Sequence, residues 1–159
     1  MKKLFILLLL ISISSCAQKL PEGFVYLKDI DSTIQKELRY ITNHNFIGKP
    51  IDGYINNTVI VSKPTAKALH KIQLELAEKN LSLKIFDAYR PQQAVNHFVH
   101  WARVLNDTVM KQEFYPNVPK RELFKRGYIA SKSGHTRGST VDLTIVNTKT
   151  GEELDMGSP

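Results

Sequence analysis

Cysteine is almost missing from this 159-residue chain. The lone Cys16 excludes an internal disulfide framework and any zinc knuckle built on thiolates, so His, Asp and Glu are the metal ligands left. Long apolar runs are equally scarce. Only Leu4 to Ile13 qualifies, and it falls short of the about 20 apolar residues that a bilayer span needs. No internal repeat, low-complexity tract or linker follows residue 23. Charge of one sign is not concentrated either. The net charge is +7, but Lys2 and Lys3 sit in the leading segment and the other basic residues are scattered. A patch of Lys120, Arg121, Lys125, Arg126, Lys132 and Arg137 reads as a solvated face, so no nucleic-acid partner is expected.

What remains is one domain. A chain of about 150 residues buries roughly 68 to 70% of its unfolded surface, and 42% apolar residues suffice for a core without staples. Lys2-Lys3 and the run Leu4 to Ile13 have the charged and apolar regions of an export signal over residues 1–15. Ile13-Ser14-Ser15-Cys16-Ala17 resembles the lipobox of bacterial lipoproteins, in which the cysteine is acylated; ordinary cleavage near Ser15 to Ala17 or a buried free cysteine are the alternatives. Residues 16–22 would then be a tether to a domain over 23–159, exported to the periplasm or cell envelope and held on the membrane by its lipid.

Two helices are well signalled. Ser62 caps the first, with Pro64 in its first turn and Ala68, Leu69, Ile72 and Leu76 as its apolar stripe through Lys79. The second starts at Pro91 and buries Ala94, Val95, Phe98, Ala102 and Leu105, ending near Asn106. A shorter third helix is expected from Pro119 to Arg126, stopped by Gly127. Alternation marks strands at Leu81, Leu83, Ile85 and at Val141, Leu143, Ile145; from Asp29 to Ile41 the spacing of Ile30, Ile34 and Leu38 suits a helix, while Leu38, Tyr40 and β-branched neighbours suit a strand, which is favoured near Leu38 to Thr42. Alternation also turns Asp142 away from Val141 and Leu143, toward a cleft. The fold class is α+β, a small antiparallel sheet flanked by helices.

Three clusters carry chemistry: Asp87-Ala88-Tyr89-Arg90-Pro91 at a strand-to-helix junction, the loop Ser131 to Gly138, and Asp142. His135 and Asp142 suit zinc as borderline and hard ligands, and Gly134 and Gly138 allow the loop to bend back. Spacing alone is a weak signal. His135 equally suits a surface loop, Asp142 a turn cap, and Arg90 a salt bridge to Asp87.

The pattern Ser133-x-His135-x-x-Gly138-x-x-x-Asp142, preceded by Asp87-Ala88-Tyr89-Arg90-Pro91, resembles the zinc D-alanyl-D-alanine dipeptidases associated with vancomycin resistance. The string from Gly134 to Thr144 and Asn45-Phe46-Ile47-Gly48 extend that similarity over about Phe24 to Pro159. The resemblance implies one Zn2+ per chain held by His135 and Asp142, an oxyanion-stabilising Arg90, a substrate-side Ser133, and D-alanyl-D-alanine as the substrate. In that family a Glu-x-x-His near the C-terminus supplies the third ligand and the base. No such motif occurs here, and no histidine follows His135, so the chain reads as a C-terminally truncated member lacking its third ligand. His97 and His100 share a helix face but are not favoured as substitutes, being placed with Trp101 on a solvated or half-buried flank; His44 and His70 have less around them. Two other functions stay open: a D,D-carboxypeptidase on longer wall peptides, and a lipoprotein that binds wall peptides without cleaving them.

Overall fold

A computed structural model describes residues 20–157. The expected signal segment, Cys16 and the first part of the tether lie outside the described residues. Within the tether, the Pro21 carbonyl accepts a hydrogen bond from the Phe24 amide, so its last residues already form a turn against the domain. Among the described residues, no helix is long and apolar enough to cross a membrane.

The architecture is α+β. Strand β1 (Phe24–Tyr26) pairs antiparallel with β3 (Ile60–Ser62), and β2 (Gln35–Lys36), β4 (Leu81–Asp87) and β5 (Asp142–Asn147) form a second sheet in the order β2-β4-β5. The β4–β5 pair is antiparallel as expected, but β2 runs parallel to β4. The expected strand from Leu38 to Thr42 is instead a single 3-10 turn at Arg39–Ile41, and strand pairing occurs just before it. The reason is Asn45. Its buried amide donates to the Thr42 and Lys49 carbonyls and accepts from the Ile47 and Gly48 amides, which folds the segment back on itself.

Helix α1 (Lys63–Ala77) begins where the sequence indicates, with the Ser62 hydroxyl accepting from the Thr65 amide. Its buried face differs from the expected stripe. Ala66, Leu69 and Gln73 face inward while Ala68 and Ile72 are exposed. Gln73 is tolerated inside because its Nε2 donates to Ser82 Oγ at 3.0 Å and its Oε1 accepts from the Leu83 amide at 2.9 Å, clamping helix to strand.

Helix α2 (Gln92–Arg103) stops three residues early, leaving Leu105 exposed. It buries Ala94, Val95, Phe98 and Ala102 as expected, and Trp101 as well. A four-residue helix, α3 (Lys111–Phe114), follows. The expected third helix from Pro119 to Arg126 is a 3-10 turn at Lys120–Glu122 continued by looser turns. Packing decides this: Lys120 is buried with its Nζ 3.8 Å from the Trp101 ring centroid and donating to the Asp107 carbonyl, while Leu123 enters the α2 core.

Two apolar clusters result. One gathers α2 with Ile47, Ile51, Tyr115, Val118, Leu123 and Ile129; the other gathers Leu27, Leu38, Val61, Ala66, Leu69, Leu83 and Ile85 between α1 and the strands. Gly138 joins the loop after it to β3, its carbonyl accepting from the Ser62 amide at 2.8 Å. It has φ +66, and a Cβ there would lie 2.5 Å from the Phe24 ring and 3.2 Å from the Ser62 nitrogen. Left-handed backbone costs a non-glycine residue roughly 1–2 kcal/mol and overpacking roughly 1–3 more. Gly138→Ala is therefore expected to lower unfolding free energy by about 2–5 kcal/mol in urea titration, and a loss below about 0.5 kcal/mol would contradict this packing.

Candidate active site

The site forms where β4 and β5 end together. Between Ile85 and Asp87 the register slips: Ile85 pairs with Leu143, yet Asp87 pairs with Asp142, leaving Phe86 as the extra residue of a bulge. In unbroken register Phe86 would face Asp142. The bulge thus brings two carboxylates opposite each other at one strand end. Val141, just before β5, and Ile145 on it pack on the core while Asp142 stays half exposed, as alternation indicated; Leu143, expected inside, is 36% exposed, and Thr144 is buried.

The chain then locks the neighbouring loop to this end. The Arg90 amide donates to the His135 carbonyl at 3.3 Å, and the Tyr89 amide to the Ile60 carbonyl at 3.0 Å. Tyr89 itself packs edge-on against Phe24. His135 sits in a 3-10 turn, Gly134–Arg137, capped by Ser133, whose Oγ accepts from the His135 amide at 3.3 Å. Gly134 allows a close approach, since a Cβ would fall 2.8 Å from Thr140 Oγ1.

Asp87 is the organiser. Its side chain is 2% exposed; Oδ1 accepts from the Tyr54 hydroxyl at 2.7 Å, and Oδ2 from Arg90 Nε and Nη2 at 2.9 and 2.8 Å. Burial pushes this carboxyl upward against the opposing effects of Arg90, Tyr54 and His135. The salt bridge from Arg90 to Asp87 is real, and it aims the guanidinium rather than consuming it. Nη2 also reaches Asp142 Oδ2 at 3.5 Å, the planar group rests over the Tyr40 and Phe98 rings, and Nη1 makes no hydrogen bond among the described residues. Arg90 remains a cation: burial works against the charge, but the acidic groups around it hold its pKa above the ordinary value.

His135 Nδ1 donates to the Ala88 carbonyl at 2.9 Å, which leaves Nε2 as the acceptor nitrogen, 3.4 Å from Asp142 Oδ1. Burial lowers the His135 pKa, but the Asp142 carboxylate and the Ala88 carbonyl outweigh it, and the net shift is upward. Asp142 moves the other way, because His135 and Arg90 outweigh the effect of burial. Tetrahedral zinc with ligand bonds of about 2.0–2.2 Å separates neighbouring donor atoms by roughly 3.3–3.6 Å. The Nε2–Oδ1 pair meets that spacing, and a backbone carbonyl on the other ring nitrogen is the usual outer support of a metal-bound imidazole.

Asp87 joins His135 and Asp142 in a group whose donor atoms lie within 4.8 Å of one another. Its oxygens, however, already hold three donors, and its nearest approach to the imidazole is 3.5 Å to Nδ1, the nitrogen turned away from Asp142. Asp87 therefore orients the pair from behind. His97 and His100 stand apart: the His97 Nδ1 accepts from the Asp52 amide and His100 meets the Asn96 carbonyl. Trp101, expected beside them on a solvated or half-buried flank, is instead fully buried in the α2 core.

Residues 21–159 match the family model described as D-ala-D-ala dipeptidase. The chain belongs to the D-alanyl-D-alanine dipeptidase family. It is 42% identical over 136 residues to a D-alanyl-D-alanine dipeptidase of Enterococcus faecalis, covering 86% of this chain and 67% of that protein. Similar matches are the D-alanyl-D-alanine dipeptidases of Enterococcus faecium, 40% identical over 86% of this chain and 67% of that one, and of Streptomyces coelicolor, 40% identical over 84% and 66%. The chain thus spans about two thirds of the length of these relatives.

Within this dipeptidase domain, sequence reasoning missed Tyr54 and Tyr40. Neither stands in the motifs that carry the resemblance, and Tyr54 reaches Asp87 across 33 positions. Removing the Asp87 carboxylate strands a buried guanidinium, which costs about 3–5 kcal/mol, whereas losing one hydroxyl donor to it costs about 1–3. Asp87→Ala is expected to destabilise the domain more than Tyr54→Phe in denaturant titration, and the opposite order would contradict the organising role of Asp87.

Proposed function

We propose that this domain hydrolyses D-alanyl-D-alanine to two D-alanines in cell-wall metabolism, with one zinc ion held by His135 and Asp142. The carrying observation is the 3.4 Å approach of His135 Nε2 to Asp142 Oδ1, with Arg90 3.5 Å from the other Asp142 oxygen. The dipeptidases it matches are zinc metallopeptidases. The chemistry that zinc supplies when bound there is Lewis-acid polarisation of the scissile carbonyl and a more acidic attacking water.

The remaining steps fall to the chain's own side chains. Arg90 directs its Nη1 donors at the oxygen that gains negative charge as the amide carbonyl is attacked, and Asp87 fixes that direction before substrate arrives. The Tyr40 and Phe98 rings beneath the guanidinium keep water from its face, which strengthens its interaction with an anion. Ala88 holds the His135 ring so that Nε2 keeps its lone pair toward Asp142. Ser133 flanks the loop as the candidate substrate-side hydroxyl, beyond its capping bond. The base that receives the water proton is assigned to none of the described residues.

A cavity of about 180 Å³ lies beside Asp142, walled by Tyr40, Phe46, Phe86 and Phe114. We also infer export to the cell envelope and a lipid anchor at Cys16, supported by Lys2-Lys3, the apolar run to Ile13 and the lone cysteine after it.

The test is release of D-alanine by the zinc-loaded chain. Arg90→Ala is expected to lower kcat about 10²- to 10³-fold with zinc content retained, whereas His135→Ala loses the metal itself. An Arg90→Ala protein as active as the unsubstituted one, or a zinc-loaded chain that releases no D-alanine, contradicts the proposal.

A further inference from the structure

The cavity beside Asp142 has a cation at its rim that the chemistry above does not use. Arg39, on the 3-10 turn after β2, lines it together with Tyr40, Phe46, Phe86, Phe114 and Asp142. Its guanidinium carbon lies 4.1 Å from the Phe86 ring centroid, so the group is stacked and its plane fixed. Its Nε is buried yet makes no hydrogen bond. Its ion-pair partner among the described residues, Glu37 Oε1 at 3.5 Å from Nε, belongs to a carboxylate that also binds the Lys84 ammonium. The Arg39 side chain lines a cavity of about 180 Å³, and its Nε is held only by that long contact to a shared carboxylate.

We propose that Arg39 is the specificity residue that receives the free C-terminal carboxylate of the substrate. The proposal rests on the dipeptidase reading and adds to it a reason for refusing longer chains. A guanidinium presents two parallel N–H groups to a carboxylate, and a stacked one loses little freedom in doing so. Arg39 lines the cavity beside Tyr40, Asp87 and Asp142, and Arg90 reaches that cavity's wall through its bonds to Asp87 and Asp142 and its place over the Tyr40 ring. A dipeptide lying between them presents its scissile carbonyl to Arg90 and its terminal carboxylate to Arg39. Extension beyond that carboxylate would leave the Arg39 charge facing a neutral amide. The aromatic walls suit an alanine methyl.

The experiment compares kcat/KM for D-alanyl-D-alanine and for its C-terminal amide, using the zinc-loaded chain, Arg39→Ala and Arg39→Lys. The unsubstituted protein is expected to prefer the free acid about tenfold to a hundredfold, chiefly through KM, as befits one charge-assisted hydrogen-bonded contact. Arg39→Ala is expected to erase that preference by losing far more kcat/KM on the free acid than on the amide, and Arg39→Lys to restore part of it. A preference that persists in Arg39→Ala overturns the inference, as does an equal loss on both substrates, which would mark a structural role. Turnover of neither substrate by the unsubstituted protein sinks the dipeptidase reading itself, a distinct outcome.

Discussion

The site depends on one buried carboxylate. Asp87 ends β4 almost wholly out of water, and such a charge persists only where donors surround it. Tyr54 and two nitrogens of Arg90 supply them. The same contacts that keep Asp87 tolerable fix the guanidinium between Tyr40 and Phe98, and the adjacent Ala88 carbonyl fixes the His135 tautomer. Stability and chemistry here share the same bonds. Buried ion pairs contribute little net stability compared with apolar packing, so the function of this one is orientation.

That geometry needs the β-bulge. With strict pairing, Phe86 would stand opposite Asp142, and the carboxylate that aims Arg90 would be displaced by one residue. A one-residue slip reverses every side chain of a strand, which is why an insertion at the strand end can re-aim a single residue without disturbing Leu83 and Ile85 in the core. The left-handed Gly138 then returns the His135 loop to β3, closing the site from the other side.

Much of this was legible in the residues. Ser62 and Pro64 announced α1, Pro91 announced α2, and alternation along β5 turned Asp142 away from Val141. The motif residues His135, Asp142 and Arg90 do meet in space. Other features had no local signal. Gln73 displaced Ile72 from the buried face of α1 because its partners, Ser82 and Leu83, lie on another element. Asn45 overrode the strand propensity near Tyr40 through five backbone contacts, and Lys120 followed the Trp101 ring instead of helical periodicity. Bulge position and the reach of Tyr54 are tertiary facts, set by packing across distant segments.

Similarity to the dipeptidases and the convergence of His135 Nε2 with Asp142 Oδ1 are independent observations. The most direct measurement of that convergence is zinc K-edge X-ray absorption on the zinc-loaded protein, alongside His135→Ala and Asp142→Ala. One imidazole nitrogen and a carboxylate oxygen at about 2.0–2.2 Å are expected, with the imidazole scattering lost in His135→Ala. Zinc surrounded by water alone, or imidazole scattering that survives in His135→Ala, would contradict it.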